Sequence, residues 1–352
     1  MRSLYRLLSL GLALTWVGAQ HAAPLHAQGV KARVDVVPHE DLRRVDVLVD
    51  GKPFTAYIYP TTLKKPTLYP VRSASGVVVT RGWPLEPRPG ERVDHPHQVG
   101  LWFDHGDVNG LDFWNNSDAI PPARAAKMGT ILHRAVRRTE SGAGAGTLEV
   151  TAEWVDYGGT PLLREDTRFV FRAADGLRSI DRTTTLTALG RPVTFVDNKE
   201  GLIGMRVARA LEQPSTTPEV FTDANGHATT VPVLNNAGVT GHYRSSEGLE
   251  GDAVWGTRGR WTMLSGSVSG EPVTLAILDH PRNPGFPTYW HARGYGLFAA
   301  NPLGQKAFTN GKDSLNFQLL PQEAATFRYR ILILSGAASP EQIETNYQDF
   351  IR

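Results

Sequence analysis

The sequence predicts an all-β protein: a large antiparallel β-sandwich or super-sandwich with a short C-terminal helix. Two observations predict this fold class. Of the 352 residues, 35 are glycine and 24 are proline, about a sixth of the chain, so turns should be frequent and long helices few. Several segments also alternate apolar and polar residues with a period of two, which is typical of half-buried strands.

The alternation is clearest in three segments. In 148–155 four apolar residues share one face, and two glutamates and a threonine share the other. Two phenylalanines alternate with more polar neighbours in 168–172, and 327–334 repeats the pattern with aromatic residues and isoleucines. Because successive side chains of a strand point to opposite faces, each segment predicts a strand with one buried face.

Short turn signals separate the predicted strands, as expected for antiparallel sheets. A loop-rich stretch at 213–241 is interpreted as an insertion and not as a domain boundary. The turn signals are Asp50-Gly51, the Gly/Ala stretch 141–146, Gly158-Gly159, Asp175-Gly176 and Asn225-Gly226.

One helix is predicted near the C-terminus. Ser339 is followed by Pro340 and, one residue further on, by the Glu-Gln pair of a capping box, which is typical of a helix start. A helix beginning there would place four apolar residues on one face, which we expect to pack on a sheet: Ile343, Tyr347, Phe350 and Ile351.

The first residues have the pattern of a signal peptide. Arg2 and Arg6 precede an apolar run at 7–17 that is too short to span a bilayer, and small residues offer cleavage after Ala19 or Ala27. An uncleaved membrane anchor is the alternative. We expect a signal peptide at 1–27, a single β-sandwich domain at 28–352, and a periplasmic or secreted protein with no membrane contact after cleavage.

Charge and cysteine content exclude several classes of function. Lys and Arg number 37 against 35 Asp and Glu, and both surplus cations lie in the predicted signal peptide. The remaining chain is formally neutral, so no nucleic-acid partner is expected. The absence of cysteine excludes disulfides, thiolate nucleophiles and cysteine-based metal sites, and no cofactor is expected.

Polar and aromatic residues crowd into the segments 94–114, 197–206 and 279–302, as a polar ligand site on loops of a β scaffold requires. The residues predicted to transfer protons are His97, His105, Glu200, Asp279, His280 and His291. The residues predicted to bind substrate, through indole faces for a sugar ring and donors or acceptors for its hydroxyls, are His95, Trp102, Asn109, Asp112, Trp114, Arg206, Trp290, Arg293 and Asn301.

A metal site is the alternative use of the histidines. His95 and His97 would point to one face of a strand, and with His105 or Asp112 they could bind iron, zinc or copper. Pro96 lies between the two histidines, and the acid expected a few residues later in cupin-like sites is absent. We therefore predict no metal site.

Segment 94–114, which reads DHPHQVGLWFDHGDVNGLDFW, resembles a family of exported bacterial proteins commonly labelled "PmoA family" or methane oxygenase PmoA. Segments 279–284 and 290–293 are similar to the same family, and the resemblance covers nearly all of the mature chain. The label implies a subunit of membrane methane monooxygenase, which would need several transmembrane helices that this sequence lacks, so we interpret the label as misapplied. The resemblance implies a sugar-catabolism function and a galactose-mutarotase-like sandwich, in which a His acid and a carboxylate base act across a pyranose ring.

These observations favour an exported carbohydrate-active protein that uses acid–base catalysis on a sugar or glycoside. The reaction would be epimerisation, elimination or hydrolysis, and the ligand a small molecule or an oligosaccharide. A non-catalytic carbohydrate-binding protein is the first alternative, and a metal-dependent oxygenase is the second.

Overall fold

The structure is a computed structural model that describes residues 31–352, so the predicted signal peptide and its cleavage site lie outside the described residues and stay predictions. Of the helices in this range, none is long and apolar enough to cross a bilayer. The helices are α1 Pro122–Ala125, α2 Gln305–Phe308 and α3 Pro340–Phe350, with 3-10 turns at Glu40–Leu42, Arg209–Leu211 and Gly251–Val254. In chain order the strands are β1 Arg33–His39, β2 Arg44–Val49, β3 Lys52–Ile58, β4 Thr67–Leu68, β5 Leu101–His105, β6 Thr130–Glu140, β7 Gly142–Ala143, β8 Ala145–Val155, β9 Pro161–Ala174, β10 Leu177–Ala188, β11 Val193–Phe195, β12 Gly201–Arg206, β13 His242–Ser245, β14 Trp261–Val268, β15 Glu271–Asp279, β16 Tyr289–Arg293, β17 Leu297–Asn301, β18 Phe317–Leu319 and β19 Ala324–Ser335.

Two large antiparallel sheets contain most of these strands. The nine-stranded sheet has the order β16-β17-β12-β5-β4-β3-β2-β1-β7, and the eight-stranded sheet has the order β13-β14-β15-β19-β10-β9-β8-β6. Their inner faces meet through aromatic contacts: ring centroids are 6.2 Å apart for Phe54 and Phe171 and 6.3 Å apart for Phe103 and Trp154. The predicted antiparallel β-sandwich is confirmed.

The period-two segments form strands of the eight-stranded sheet, as predicted. Segment 148–155 lies in β8, 168–172 in β9 and 327–334 in β19. In β8 the side chains of Leu148 and Trp154 are fully buried, whereas Glu149 and Glu153 on the opposite face are partly exposed. One face of each strand therefore contributes to the core between the sheets.

The turn signals are confirmed, since each lies between antiparallel segments. Asp50 and Gly51 join β2 to β3 with φ of 49° and 74°, the left-handed conformation that a two-residue hairpin requires. The stretch 141–146 joins the antiparallel strands β6 and β8, which pair from Glu140 and Thr147 onward, and within it β7 pairs with β1. Gly144 has a left-handed φ of 81° in this connection.

The C-terminal helix α3 is confirmed together with its capping box. Ser339 Oγ accepts a hydrogen bond from the Gln342 backbone N–H, and Gln342 Oε1 accepts one from the Ser339 N–H. Ile343 and Tyr347 are buried in an apolar cluster that includes Trp261 of β14. The helix therefore covers part of the eight-stranded sheet and is remote from the polar segments in 94–114 and 197–206.

We predict that Ser339→Ala lowers the free energy of unfolding by about 1 kcal/mol, because the Gln342 N–H in the first helical turn loses its capping oxygen. Urea unfolding followed by tryptophan fluorescence measures the change. Ser339→Asp keeps a capping oxygen and is the control, expected to stay within a few tenths of a kcal/mol of wild type. Equal losses in both variants would contradict the capping explanation.

Candidate functional site

The polar segments supply neighbouring strands of the nine-stranded sheet. In register across β5, β12, β17 and β16 lie Trp102, Gly204, Ala299 and His291. Residues in register point to the same side of a sheet, so Trp102 and His291 share one face. Phe103, the next residue of β5, lies in the sandwich core. The shared surface therefore faces away from the core, and we call it the outer face.

Two buried indoles form the floor of the outer face. The ring centroids of Trp102 and Trp114 are 5.1 Å apart at an interplanar angle of 66°, and neither side chain is exposed. Gly204 permits this packing, because a Cβ atom there would lie 2.7 Å from the Trp102 ring and 3.0 Å from Trp114. The flat faces that we expected to contact a sugar ring are thus covered by protein. The Nε1 atoms of both indoles are buried without a hydrogen-bond partner.

A buried ion pair lies beside the indoles. Lys65 Nζ is 2.6 Å from Asp104 Oδ2 and donates a hydrogen bond of 2.7 Å to the carbonyl oxygen of Trp114. Asp104 is fully buried, and this burial raises its pKa to about 7 although Lys65 opposes the shift. Its Oδ1 atom has no hydrogen-bond partner. The carboxyl group is therefore close to its titration midpoint at neutral pH and keeps one free acceptor.

Glu200 and His291 form the second pair of titratable groups. His291 Nδ1 lies 3.8 Å from Glu200 Oε2, and their side chains are 4% and 16% exposed. Burial lowers the pKa of His291 to about 3, and the charges of Arg293 and Lys199 add to this effect. Burial also raises the pKa of Glu200 above its usual value. At neutral pH a neutral imidazole therefore lies beside a carboxyl group that accepts protons more readily than a solvent-exposed one.

Asn301 holds the turn that carries Glu200. Its Nδ2 atom donates to the backbone carbonyls of Asn198 and Lys199, at 2.8 and 2.9 Å, and its Oδ1 atom accepts from the Leu303 N–H. The side chain is fully buried, and all of its contacts are to the backbone. Asn301, predicted to bind substrate, therefore acts on the loop and not on a ligand.

A buried arginine organises the loop that carries the first histidines. Arg81 donates hydrogen bonds to the carbonyl oxygens of Asp94, His95 and Gln98. The Asp94 carboxylate also contacts Arg81 directly and lies 2.7 Å from Arg206 Nη2. Burial opposes ionisation of Asp94, but the two arginines hold its pKa well below its usual range. Arg206 is fully buried and also donates to Gln98 Oε1 at 2.6 Å, so its role is to fix this loop.

This loop presents one exposed and one largely buried histidine. His95 has a φ of 43°, its side chain is 40% exposed, and its ring stacks on Tyr295 with centroids 5.1 Å apart. The ring of His97 lies 5.6 Å from that of His95, and burial lowers the pKa of His97 to about 2. A left-handed backbone at a non-glycine residue stores strain and is enriched at functional sites.

The polar atoms on or beside the outer face that are buried without a hydrogen-bond partner include five from the two indoles, Asp104 and two histidines. Such atoms are uncommon in folded proteins, and a water molecule, an ion or a polar ligand can supply the missing partner. The set contains two donors, one acceptor and two imidazole nitrogens that can take either role. These atoms are Trp102 Nε1, Trp114 Nε1, Asp104 Oδ1, His97 Nε2 and His291 Nδ1.

Three predicted site residues lie elsewhere because of strand alternation or turn geometry. His105 is buried against Phe195 and its Nε2 atom lies 2.8 Å from the Val196 carbonyl oxygen. Trp290 is fully buried in the sandwich core. Asn109 accepts from the Thr194 N–H and bridges a turn. These contacts favour structural roles, and the structure does not bring the three side chains to the outer face.

Asp279 and His280 also lie apart from the outer face, at the end of β15 in the eight-stranded sheet. Asp279 accepts hydrogen bonds from Asn283 Nδ2 and the Thr288 N–H, both at 2.8 Å, and burial raises its pKa to about 7. The His280 ring lies 5.2 Å from Phe350 of α3. Both residues thus fix a loop and the C-terminal helix.

The arrangement does not assemble the metal site considered as an alternative. Within residues 31–352, no group of three or more His, Cys, Asp or Glu could hold a metal ion. His95 lies on the outer face and His105 on the inner one. Asp112 accepts hydrogen bonds from Asn115, and its charge raises the pKa of both Asp104 and Glu200. Asp112 therefore lies close enough to the carboxyl groups of Asp104 and Glu200 to affect both.

Two openings flank the outer face. Beside Lys65 and His97 lies a cavity of about 310 Å³, and beside Tyr295 lies a groove of about 470 Å³. The groove contains Trp255, which is 40% exposed, and Arg293 lies with its Cζ atom 5.3 Å from that indole ring. We call these openings the apolar cavity and the Trp255 groove.

Sequence reasoning missed several of these residues. Phe308 packs against His291 at 6.2 Å and against Trp255 at 5.8 Å, and so links the groove to the Glu200–His291 pair. Phe308, Trp255 and Lys65 lie outside the three segments 94–114, 197–206 and 279–302 from which the site was predicted. Asp104 stood inside the 94–114 segment, but only the strand register shows that it faces outward beside Trp102.

A family model described as a family of unknown function, DUF6807, matches residues 44–348. The "PmoA family" label expected from the sequence is not confirmed. No curated protein is significantly similar to the chain.

The chain is also similar to three solved structures, all with TM-scores below 0.5, so no activity follows from them. The galactose 1-epimerase of Lactobacillus acidophilus NCFM has a TM-score of 0.39 and 11% identity, covering 88% of this chain and 100% of that one. The galactosidase domain of alpha-galactosidase-sucrose kinase AgaSK has a TM-score of 0.38 and 7% identity, and the match covers 86% of this chain and 42% of that one. The GH36 alpha-galactosidase AgaB of Geobacillus stearothermophilus has a TM-score of 0.38 and 10% identity, and the match covers 86% of this chain and 41% of that one. The chain thus spans about two fifths of the two galactosidase chains.

We predict that Arg81→Met lowers the free energy of unfolding by about 3–5 kcal/mol, because it breaks a buried ion pair and leaves loop carbonyls without donors. Urea unfolding measures the loss. Arg168→Met is the control, since Arg168 pairs with Glu149 at the surface with a side chain 54% exposed. It should cost no more than about 1 kcal/mol. Similar losses in the two variants would show that Arg81 does not hold the loop.

Proposed function

Because the chain belongs to the DUF6807 family, whose function is unknown, we propose a function from the outer face itself. The protein binds a sugar or sugar derivative there and transfers a proton to and from it, with Glu200 as general base. The observation that carries this proposal is the contact of 3.8 Å between Glu200 and His291 on the face that holds the unpartnered polar atoms.

The chemistry of the free polar atoms favours a ligand rich in hydroxyl groups. A hydroxyl both donates and accepts, so it can pair with an indole N–H such as that of Trp102 and with a carboxyl oxygen such as Asp104 Oδ1. In the Trp255 groove the partly exposed indole lies among polar neighbours such as Gln213 and Asp252. An apolar ring face bordered by donors and acceptors suits a pyranose, which has a CH-rich face and a hydroxyl rim.

We give His291 and Glu200 different roles because their pKa values are shifted in opposite directions. His291, with a pKa of about 3, is neutral at physiological pH and cannot deliver a proton as an imidazolium ion. In this proposal His291 does not take the role of a histidine acid, and its neutral ring holds a hydroxyl through a hydrogen bond. Glu200, whose pKa is raised, takes the proton as a carboxylate and returns it as the acid. Epimerisation, elimination and hydrolysis of a glycoside all include such a transfer.

We predict that the turnover of a sugar by this protein falls as the pH is lowered through the pKa of Glu200, because only the carboxylate is a base. Since burial raises that pKa, the acidic limb of kcat/KM lies above the usual glutamate value of 4.5. Incubation with a panel of sugars and glycosides, followed by product analysis, identifies the substrate used for the pH profile.

Glu200→Gln should reduce kcat by about 10²–10⁴-fold, the contribution of a positioned base. Glu271→Gln changes an exposed glutamate at the start of β15 and should leave kcat unchanged. Full turnover in Glu200→Gln would refute the catalytic role. Sugar binding without any product would identify the protein as a non-catalytic carbohydrate-binding protein.

We predict that Trp255→Ala weakens sugar binding about 10-fold, because an aromatic surface in contact with the ring is lost. Isothermal titration calorimetry with the best ligand of the panel measures the affinity. Tyr157→Ala, which removes another exposed aromatic residue, in the β8–β9 turn, is the control and should bind normally. Unchanged affinity in Trp255→Ala would remove the groove from the proposed sugar site.

A further inference from the structure

The apolar cavity has a composition unlike that of the rest of the outer face. Its walls come from four loop segments, and its volume of about 310 Å³ is close to the lower end of ligand pockets. The lining residues are Thr62, Leu63, Lys64, Lys65, Thr67, Pro84, Leu85, Pro96, His97, Val99, Asn116, Ser117, Asp118 and Ala119.

The buried polar side chains around this cavity are already bonded, with one exception. Thr67 Oγ1 donates to the Val99 carbonyl at 2.6 Å, and Asn116 Nδ2 donates to the Gly129 carbonyl at 2.7 Å. Lys65 turns its ammonium group toward Asp104, so its alkyl chain is what remains for the cavity. The exception is His97 Nε2, which is buried without a partner. The cavity therefore offers a mostly apolar surface, and His97 Nε2 is the buried side-chain atom of its lining that lacks a partner.

Two residues connect the cavity with the proposed sugar site. Lys65 lines the cavity, pairs with Asp104 and lies with Nζ 5.7 Å from the Trp102 ring centroid. His97 lines the cavity, and its ring is 5.6 Å from that of His95 on the outer face. The cavity therefore adjoins the polar atoms of the outer face, with Lys65 and His97 between the two.

We propose that the cavity binds an apolar, ring-sized substituent of the ligand, such as the aglycone of an aryl glycoside, with His97 Nε2 bonded to the oxygen that joins it to the sugar. The inference rests on the proposed function for the sugar part. A dry cavity of about 150 Å³ accommodates benzene, so the volume here is enough for one or two rings. Because burial keeps the His97 ring uncharged, it adds no charge to this apolar surrounding.

The test compares phenyl and methyl glycosides of the same sugars, glucose, galactose and xylose, by calorimetry on the full mature chain. We expect the phenyl glycoside of the preferred sugar to bind about 10-fold more tightly, through burial of its ring. Ala119→Trp, at an exposed position that lines the cavity, should abolish this preference and leave the methyl glycoside unaffected. Ala123→Trp, at an exposed position of α1 outside the lining, is the matched control and should retain the preference.

Phenol alone, followed by ligand-observed NMR, separates the two proposals. Equal affinity for phenyl and methyl glycosides would overturn the inference and leave the sugar site intact, as would a preference that survives in Ala119→Trp. If no glycoside binds, but phenol binds to the wild type and not to Ala119→Trp, the proposed sugar function fails. The cavity then remains a site for apolar rings. If neither phenol nor any phenyl glycoside binds, the cavity has no such role.

Discussion

The pairing register of β5, β12, β17 and β16 is the constraint on which the outer face depends. It places Trp102, Gly204, Ala299 and His291 in one row, although these residues come from segments up to about 200 positions apart in the chain. Because side chains alternate with a period of two, a slip of one residue in β5 would turn Asp104 into the core and Phe103 out of it. The apolar residues of the inner face therefore fix the position of the polar ones.

Burial shifts the pKa values of the titratable groups on and beside this face. The carboxyl groups of Asp104 and Glu200 have raised pKa values and the imidazoles of His97 and His291 have lowered ones, in each case with desolvation as the largest cause. Desolvation disfavours the charged form of both types of group, so the two imidazoles are neutral at physiological pH and the two carboxyl groups take up protons more readily than exposed ones. This favours hydrogen bonding to an uncharged polar ligand over binding of an ion.

The sequence predicts the fold well because its signals are local. Alternation in 148–155 and the capping pattern at Ser339 each depend on residues close together in the chain, and both are confirmed. The crowding of polar residues likewise indicated which segments meet, since 94–114 and 197–206 form adjacent strands.

The orientation of individual side chains could not be predicted in the same way, because it depends on register and on packing between distant segments. His105 and Asp104 are neighbours in sequence, yet only Asp104 lies on the outer face. Trp102 has the flat indole face that a sugar ring could contact, but its close packing at Gly204 leaves this indole fully buried. Trp255 provides the exposed ring instead, and it lies outside the three segments in which histidines and tryptophans crowd together.

If the outer face is the ligand site, the indole N–H resonances of its tryptophans report ligand binding most directly. The Nε1–H groups of Trp102 and Trp114 are unpartnered, whereas Trp154 donates to Glu165 at 2.8 Å inside the sandwich. In ¹⁵N-resolved NMR spectra assigned by single Trp→Phe substitutions, a bound sugar should shift the resonances of Trp102 and Trp114 and leave that of Trp154 in place. A sugar that binds without shifting the resonance of Trp102 or Trp114 would show that the outer face is not the ligand site.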